Sequence, residues 1–548
     1  MPIDTDLQSI QEVRDLLARA HEAKLAFRSA SQEKVDAVVK AMVDAGFGAA
    51  ESLARMAHEE TGFGKPADKK LKNEFATRRV WESIRDLKTV GVINEDHERR
   101  ILEIAEPMGV VAALIPSTNP TSTVMFKAII SVKGRNGFVA SPHPRAAKCT
   151  HEATRIIAKA AEAAGAPPGL VNCLSFSTSE GTNELMKHKL TSVIIATGSG
   201  AMVKAAYSAG KPAYGVGPGN VPSFIERTAN IRKAVADIVS GKMFDWGVLC
   251  STESGVIVDE PVKKGVVEEF KKRGAYFVSP EERERLSRTM FDPRGAINPD
   301  IVGKPPSFIA RKAGFDVPSE TTCLVAEISG IGREHPLSRE KLSPVLSMIT
   351  VNGWQEGCER CIEMLQFGGI GHSMVIHSSD SEVILKFGLE KPAFRILVNT
   401  QAALGAVGYT NELAPSMTLG PGTFGGSIVS ENVTAKHLIN IKKLAFETRP
   451  IHPPENFGGK PERFGREKPQ PRGTVSQTAH PPEKSWMEII EERIRASAGN
   501  PPSPMSPIQA SVSSQSPIPK QPASSAHPPF GAGISEGEVE RIINEFRK

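Results

Sequence analysis

Between residues 107 and 224 the chain keeps returning to one pattern, a short apolar run followed by a stretch long enough for a helix. MGVVAALIP (108–116), GFVAS (137–141), LVNCLSF (170–176), SVIIATG (192–198) and AYGVG (213–217) are the apolar runs. PRAAKCTHEATRIIAKAAEAAG (144–165) and GAMVKAAYSAG (200–210) are helix-length segments between them. Strands alternating with helices of this length predict a parallel sheet covered on both faces, the doubly wound α/β class that binds nucleotides at strand carboxyl ends. A second series, ESGVIVDEP (253–261), AYFVS (275–279), SMITV (347–351), GHSMVIHS (371–378) and RILVN (395–399), predicts a second α/β domain.

The 548 residues leave room for more than these two units. Hydrophobic residues at 40% and charged residues at 24% fit a globular protein, and a formal charge of +5 is too small to imply a nucleic-acid partner. Six cysteines, at 149, 173, 250, 323, 358 and 361, form no disulfide framework and point to a reducing, cytoplasmic compartment. No segment approaches the roughly 18 apolar residues of a membrane span. The stretch MPIDTDLQSIQEVRDLLARAHEAKL carries early acids and reads as a helix, not a signal peptide.

From about residue 448 the regular apolar runs stop, and residues 498–533 are mostly Pro, Ser, Ala and Gln. Such a segment buries too little apolar surface to offset its ordering entropy and is expected to be a disordered linker. Two islands interrupt it. Residues 483–497 place Trp486, Ile489, Ile490 and Ile494 at helical spacing, and residues 534–548 place Val539, Ile542, Ile543 and Phe546 on one helical face. A short helix with an apolar stripe at the end of a tether favours docking onto a partner.

Four segments carry chemistry. Cys250, in KMFDWGVLCSTESGVIV, lies in a turn before a strand, where a thiolate could face a cleft and add to a carbonyl. Cys149 falls on a helical pattern and Cys173 inside a strand. Cys358 and Cys361 form CERC without a second ligand pair, so no metal is expected. IPSTNPTST (115–123) joins a strand to a helix, and Ser117, Thr118 and Asn119 there suit a cofactor phosphate or a developing oxyanion. ATGSGAM (196–202) is another strand-to-helix turn, and GVGPGNVP (215–222), with Gly217, is rich enough in Gly and Pro to require close backbone approach or a sharp turn.

IPSTNPTST, SPHPRA, FDWGVLC, SREKLSPVL, GGIGHSMVIHS and LGPGTFGGSIVSENVT together resemble, in order and spacing, the CoA-acylating branch of the aldehyde dehydrogenase superfamily found in bacterial microcompartments. The resemblance covers about residues 9–445. It implies a Rossmann-like NAD-binding domain over 1–224, with an oligomerisation hairpin at about 96–108. A catalytic α/β domain over 225–425 and an oligomerisation strand within 426–447 complete the body. By resemblance Cys250 is the nucleophile and Asn119, with the Cys250 amide, forms the oxyanion hole. Ser117, Thr118, His143, Thr197, Gly198, Ser199, Gly217 and Glu340 are implied to bind NAD, Glu340 at the nicotinamide ribose and His143 near the adenosine ribose. GVGPGN has no carboxylate where hydrolytic relatives keep a general base. Water needs such a base to attack a thioester and a CoA thiolate does not, so acyl transfer to coenzyme A is the expected outcome. Propionaldehyde, then acetaldehyde, are the expected substrates, with a sulfoacetaldehyde enzyme or a hydrolytic enzyme as alternatives. A homodimer or dimer of dimers, and a microcompartment lumen reached through shell or cargo contacts of 534–548, are also implied.

Overall fold

The computed structural model describes residues 4–449 and 451. The expected linker, the island 483–497 and the terminal helix 534–548 lie outside the described residues. Among the described residues no helix is long and apolar enough to cross a membrane.

An antiparallel hairpin, β1 (Gly91–Asp96) and β2 (Ile101–Pro107), precedes the first large sheet. That sheet is built from β3 (Val110–Ile115), β4 (Gly137–Pro142), β5 (Val171–Cys173), β6 (Thr191–Thr197) and β7 (Ala213–Val216). Its order is β5-β4-β3-β6-β7 and every pairing is parallel. Every residue of β3 and β4 is buried, as expected for strands with helices on both faces. The chain fills one side of β3 before returning to the other, so the order of strand addition reverses between β3 and β6. A crevice opens at the carboxyl ends of such a pair. Beneath it the buried Lys127 Nζ donates to the carbonyls of Leu114 (2.8 Å) and Ile195 (3.1 Å), tying the two strand ends from below.

The second sheet contains β8 (Val221–Ile225), β9 (Glu253–Asp259), β10 (Tyr276–Phe277), β11 (Leu324–Glu327), β12 (Val345–Val351), β13 (Gly371–His377) and β14 (Ala393–Val398). Its order is β10-β11-β12-β9-β8-β13-β14, again all parallel. Two of these strands are not legible in the sequence series. β11 is only four residues long. β8 contains Pro222, which lacks an N–H and argues against a central strand, yet a register irregularity at Val221/Pro222 accommodates it. Because β8 pairs with β9 and β13, the first sheet ends at Val216 and the expected boundary at 224 moves back before β8.

β15 (Ile439–Ala445) returns to pair antiparallel with β2, from Ile439↔Pro107 to Ala445↔Ile101. The hairpin therefore starts at Gly91, earlier than the expected 96. Of the expected strand region 426–447 only 439–445 forms the strand, while Val429, Val433, Ala435 and Leu438 pack into the body. The largest apolar cluster joins the layers, uniting Val111 and Ile115 of the first sheet with Leu249, Val375 and Val407. A second cluster lies under the other sheet, where Phe224 stacks on Phe387 at 5.5 Å and the Gly357 backbone presses against the Phe224 ring. Phe387→Ala should cost about 3–5 kcal/mol, read as a lowered urea midpoint, because it removes a fully buried ring stacked on Phe224 and leaves a cavity.

Candidate active site

Four turns at the carboxyl edge of the first sheet carry most of the expected residues. Ser117, Thr118 and Asn119 follow β3, His143 follows β4, Thr197 ends β6 with Gly198 and Ser199 following it, and Gly217 follows β7. Thr197 Oγ1 is buried with no hydrogen-bond partner. Ser199 caps the helix Gly200–Tyr207, its Oγ accepting the Met202 N–H at 3.3 Å. A side chain added at Gly200 or Gly217 would meet nothing within 4 Å. An orphaned hydroxyl, a helix N-terminus and open space at the sheet's reversal point fit a dinucleotide. His143 is exposed, and its Nδ1 accepts the Arg145 N–H at 3.1 Å; its bond serves the next turn, not the Cys250 group.

Asn119 is 8% exposed and precedes Pro120, the first residue of the helix Pro120–Lys133. Its amide is held at both ends. Oδ1 accepts from the buried Lys72 ammonium, and Nδ2 lies 3.1 Å from Thr118 Oγ1. Lys72 also pairs with Asp245, which accepts from Lys69 Nζ at 3.0 Å and from the Lys65 N–H at 2.6 Å. Lys69 reaches on to the Thr118 carbonyl at 3.3 Å. Burial would raise the Asp245 carboxyl, but Lys72, Lys69 and the Lys65 N–H outweigh it and hold the group below its ordinary range. Asp245 and Trp246 adopt left-handed backbone (φ 49° and 52°) just ahead of Cys250. None of Lys69, Lys72 or Asp245 is visible as a site residue in the sequence; the signal is two lysines three apart on a helical stretch, KKLKN, and one acid in the apolar FDWGVL.

Cys250 is the one cysteine among the six that is not buried at the residue level. Its sulfur is nonetheless crowded: burial, then the Glu340 charge, push the thiol up to about 12, against the pull of Arg395 and of the Cys250 and Ser251 N–H groups. The link to Glu340 runs through Gly219. Glu340 Oε1 accepts the Gly219 N–H at 2.8 Å, and a Cβ on Gly219 would sit 1.8 Å from the Cys250 carbonyl oxygen. Only glycine permits that approach. Glu340 is partly exposed as a residue, yet burial of its carboxylate pushes it up to about 7, opposed by the Gly219 and Asn220 amides.

His372, at the start of β13, was not singled out by sequence. Its Cε1 lies 3.3 Å from the same added Cβ on Gly219, its Nδ1 is 3.0 Å from Ser373 Oγ, and its Nε2 is buried without a partner. Burial and the Arg395 charge lower it to about 3, so the ring is neutral at physiological pH. Arg395 is fixed by the carbonyls of His372 (2.6 Å) and Gly420 (2.7 Å). The signal for His372 was its place in GGIGH, where glycines bring two backbones together. Beside the cysteine loop, a narrow crevice of about 10 Å³ is lined by Leu71, Phe75, Phe244, Leu249, Leu404, Val407, Tyr409 and Met417, with Lys72 at its wall.

In chemical terms the site offers one partly exposed thiol, an oriented amide, a neutral imidazole and a dinucleotide-type edge. Alkylation of Cys250 by iodoacetamide should stay slow up to pH 9 in the free protein. Glu340→Gln should accelerate it at fixed pH, because removing the neighbouring negative charge lowers the thiol and raises the thiolate fraction.

The model of the aldehyde dehydrogenase family matches residues 4–283. The chain is 44% identical over 446 residues to aldehyde-alcohol dehydrogenase 2 of Entamoeba histolytica, covering 79% of this chain and 51% of that protein. It spans about half the length of the aldehyde-alcohol dehydrogenases that it matches. A crystal structure of an acetylating aldehyde dehydrogenase from Geobacillus thermoglucosidasius superposes with a TM-score of 0.81 at 51% identity, covering 82% of this chain and 100% of that one. A Rhodopseudomonas palustris propionaldehyde dehydrogenase with bound propionyl-CoA superposes at 0.73 and 28% identity, covering 79% and 94%.

Proposed function

The chain belongs to the aldehyde dehydrogenase family, and from that premise we propose that it oxidises a short, uncharged aldehyde and passes the acyl group to coenzyme A. Propionaldehyde is the first candidate and acetaldehyde the next, with NAD as the hydride acceptor. The observation that supports the reading is that Gly219 brings His372 and the Cys250 carbonyl together while Asn119 is tied through Lys72 to Asp245 in the loop before Cys250, with no carboxylate in 215–222 to activate water. The acetylating and propionyl-CoA-bound relatives support the same acceptor.

The Cys250 thiolate adds to the carbonyl carbon. Asn119 Nδ2 and the Cys250 N–H donate to the resulting oxyanion, a stabilisation realised only as the charge develops. A bound nicotinamide dinucleotide supplies the hydride acceptor. Loss of hydride from the former aldehyde carbon collapses the oxyanion to a carbonyl and leaves the acyl group as a thioester on Cys250. CoA, attacking as its thiolate after losing its proton to solvent, displaces Cys250 from that thioester, releasing acyl-CoA and the Cys250 thiolate, while the unpartnered Nε2 of neutral His372 serves only to orient the incoming group. Thioester exchange keeps the acyl group activated, so no water-activating base is required.

The crevice beside Leu249 argues for the substrate class. Its lining is apolar apart from Tyr409, and the one ammonium on it, Lys72, is already committed to Asp245 and Asn119. A sulfonate or second carboxylate would lose its hydration there without gaining a free cationic partner. Propanal should therefore exceed sulfoacetaldehyde in kcat/KM by about 100-fold.

Without CoA, propanal should give a burst of NADH equivalent to the Cys250 sites and then stop; sustained turnover to free acid would overturn the reading in favour of a hydrolytic enzyme. Cys250→Ala should abolish the burst, and His372→Ala should leave the burst while slowing turnover with CoA. Two further proposals concern partners. The exposed Ile441 and Leu444 on β15 and Phe394 and Val398 on β14 support pairing between copies of the chain as a dimer or dimer of dimers. The stripe of Val539, Ile542, Ile543 and Phe546 supports delivery to a microcompartment lumen by 534–548, and a chain lacking 534–548 that still enters compartments would end that proposal.

A further inference from the structure

We infer that Lys72, held in place by Asp245, is a positioning residue: its ammonium selects the oxygen end of the Asn119 amide and so presents the N–H end to the oxyanion on Cys250. The inference rests on the proposed reaction and deepens it. An asparagine amide is nearly symmetric in shape but opposite in polarity at its two ends. Turned the wrong way, it would offer a lone pair to an oxyanion and repel it. A lysine ammonium only donates, so contact with Lys72 admits the oxygen and rejects the NH2 group.

Lys72 is in turn positioned by Asp245, whose side chain has no exposed surface and which also takes Lys69 Nζ at 3.0 Å and the Lys65 N–H at 2.6 Å. Gly64 leaves the space, since a Cβ there would lie 1.9 Å from Asp245 Oδ1. A buried cluster of two lysines and one aspartate is poor economy for stability alone, because apolar side chains of the same volume generally do as well. It does have a use beside an oxyanion. The cluster holds two cations against one anion within the same network as Asn119, and it fixes the oxyanion donor and the left-handed turn before Cys250 from one carboxylate.

The test compares Lys72→Met, Asn119→Ala, the double variant and Asn119→Asp with the native chain. Lys72→Met leaves Asp245 paired with Lys69 and the Lys65 N–H, so it should fold, with the alkylation rate of Cys250 unchanged. Its kcat for propanal with NAD and CoA should fall about tenfold or more while KM for aldehyde stays within about twofold, as for an interaction made only in the transition state. The double variant should be no slower than Asn119→Ala, because Lys72 acts through Asn119. Asn119→Asp keeps the shape and places a carboxylate oxygen on Lys72, so it should melt at or above the native temperature yet lose turnover. Unchanged kcat in Lys72→Met, additive losses in the double variant, or an Asn119→Asp that melts well below native would each overturn the inference. A native enzyme that forms no NADH from propanal and CoA would sink the functional reading instead, while the melting comparison would still decide how Asn119 is seated.

Discussion

A carboxylate with no exposed surface demands matched charge, and meeting that demand at Asp245 shapes the site around it. Two ammonium groups from the single helix Pro66–Glu74 and one backbone N–H converge on Asp245. Proline at the helix start and the i, i+3 spacing of Lys69 and Lys72 place both amines on one face. Those amines also reach the Thr118 carbonyl and the Asn119 side chain, so the helix ties the turn after β3 to the loop before β9. The left-handed backbone at Asp245 and Trp246 is an unfavourable conformation for ordinary residues, and the ion cluster is what over-determines it.

Around that anchor the two parallel sheets meet end to end. The first contributes its carboxyl edge, where helix N-termini and turns favour dinucleotide phosphates. The second contributes its amino edge, with Gly219 before β8, Cys250 before β9 and His372 at the start of β13. Close approach is what joins them. Gly219 sits on the Cys250 carbonyl, and a Cβ on Gly369 would lie 2.1 Å from the Gly219 carbonyl oxygen, leaving Glu340 and His372 within reach of the same few atoms. Pro222 lies just inside this crowded segment. There the register between β8 and β9 shifts, Val221 pairing with Glu253 and Pro222 with Gly255.

Much of this was legible in the chain. Apolar runs separated by helical stretches place ten of the strands, because burial on both faces leaves an unbroken apolar signature. Of the strands missed in the second sheet, β8 is disguised as a turn by Pro222, whereas β11, as long as β7, is simply not set apart from its flanking loop. The extent of the arm is not marked in the sequence for a related reason. β1 and β15 expose many of their side chains, so neither shows the apolar signature of a core strand, and Ile439–Ala445 pairs with a partner more than 300 residues earlier. The turns bearing Ser117, Thr118, Asn119, Thr197 and Ser199 stand at strand ends in the sequence and at the sheet's reversal point in the fold.

The sequence by itself determined the fold class, the order of the turns and which cysteine stands in a loop instead of a core element, because hydrophobic periodicity and turn chemistry are local properties. Only the tertiary structure decided which distant residues act on that cysteine. Lys72 lies far from Asp245, and Glu340 and His372 far from Gly219, so no periodicity links them. Their pairing depends on desolvation and on backbones brought into contact by glycine, which exist only once the sheets have packed.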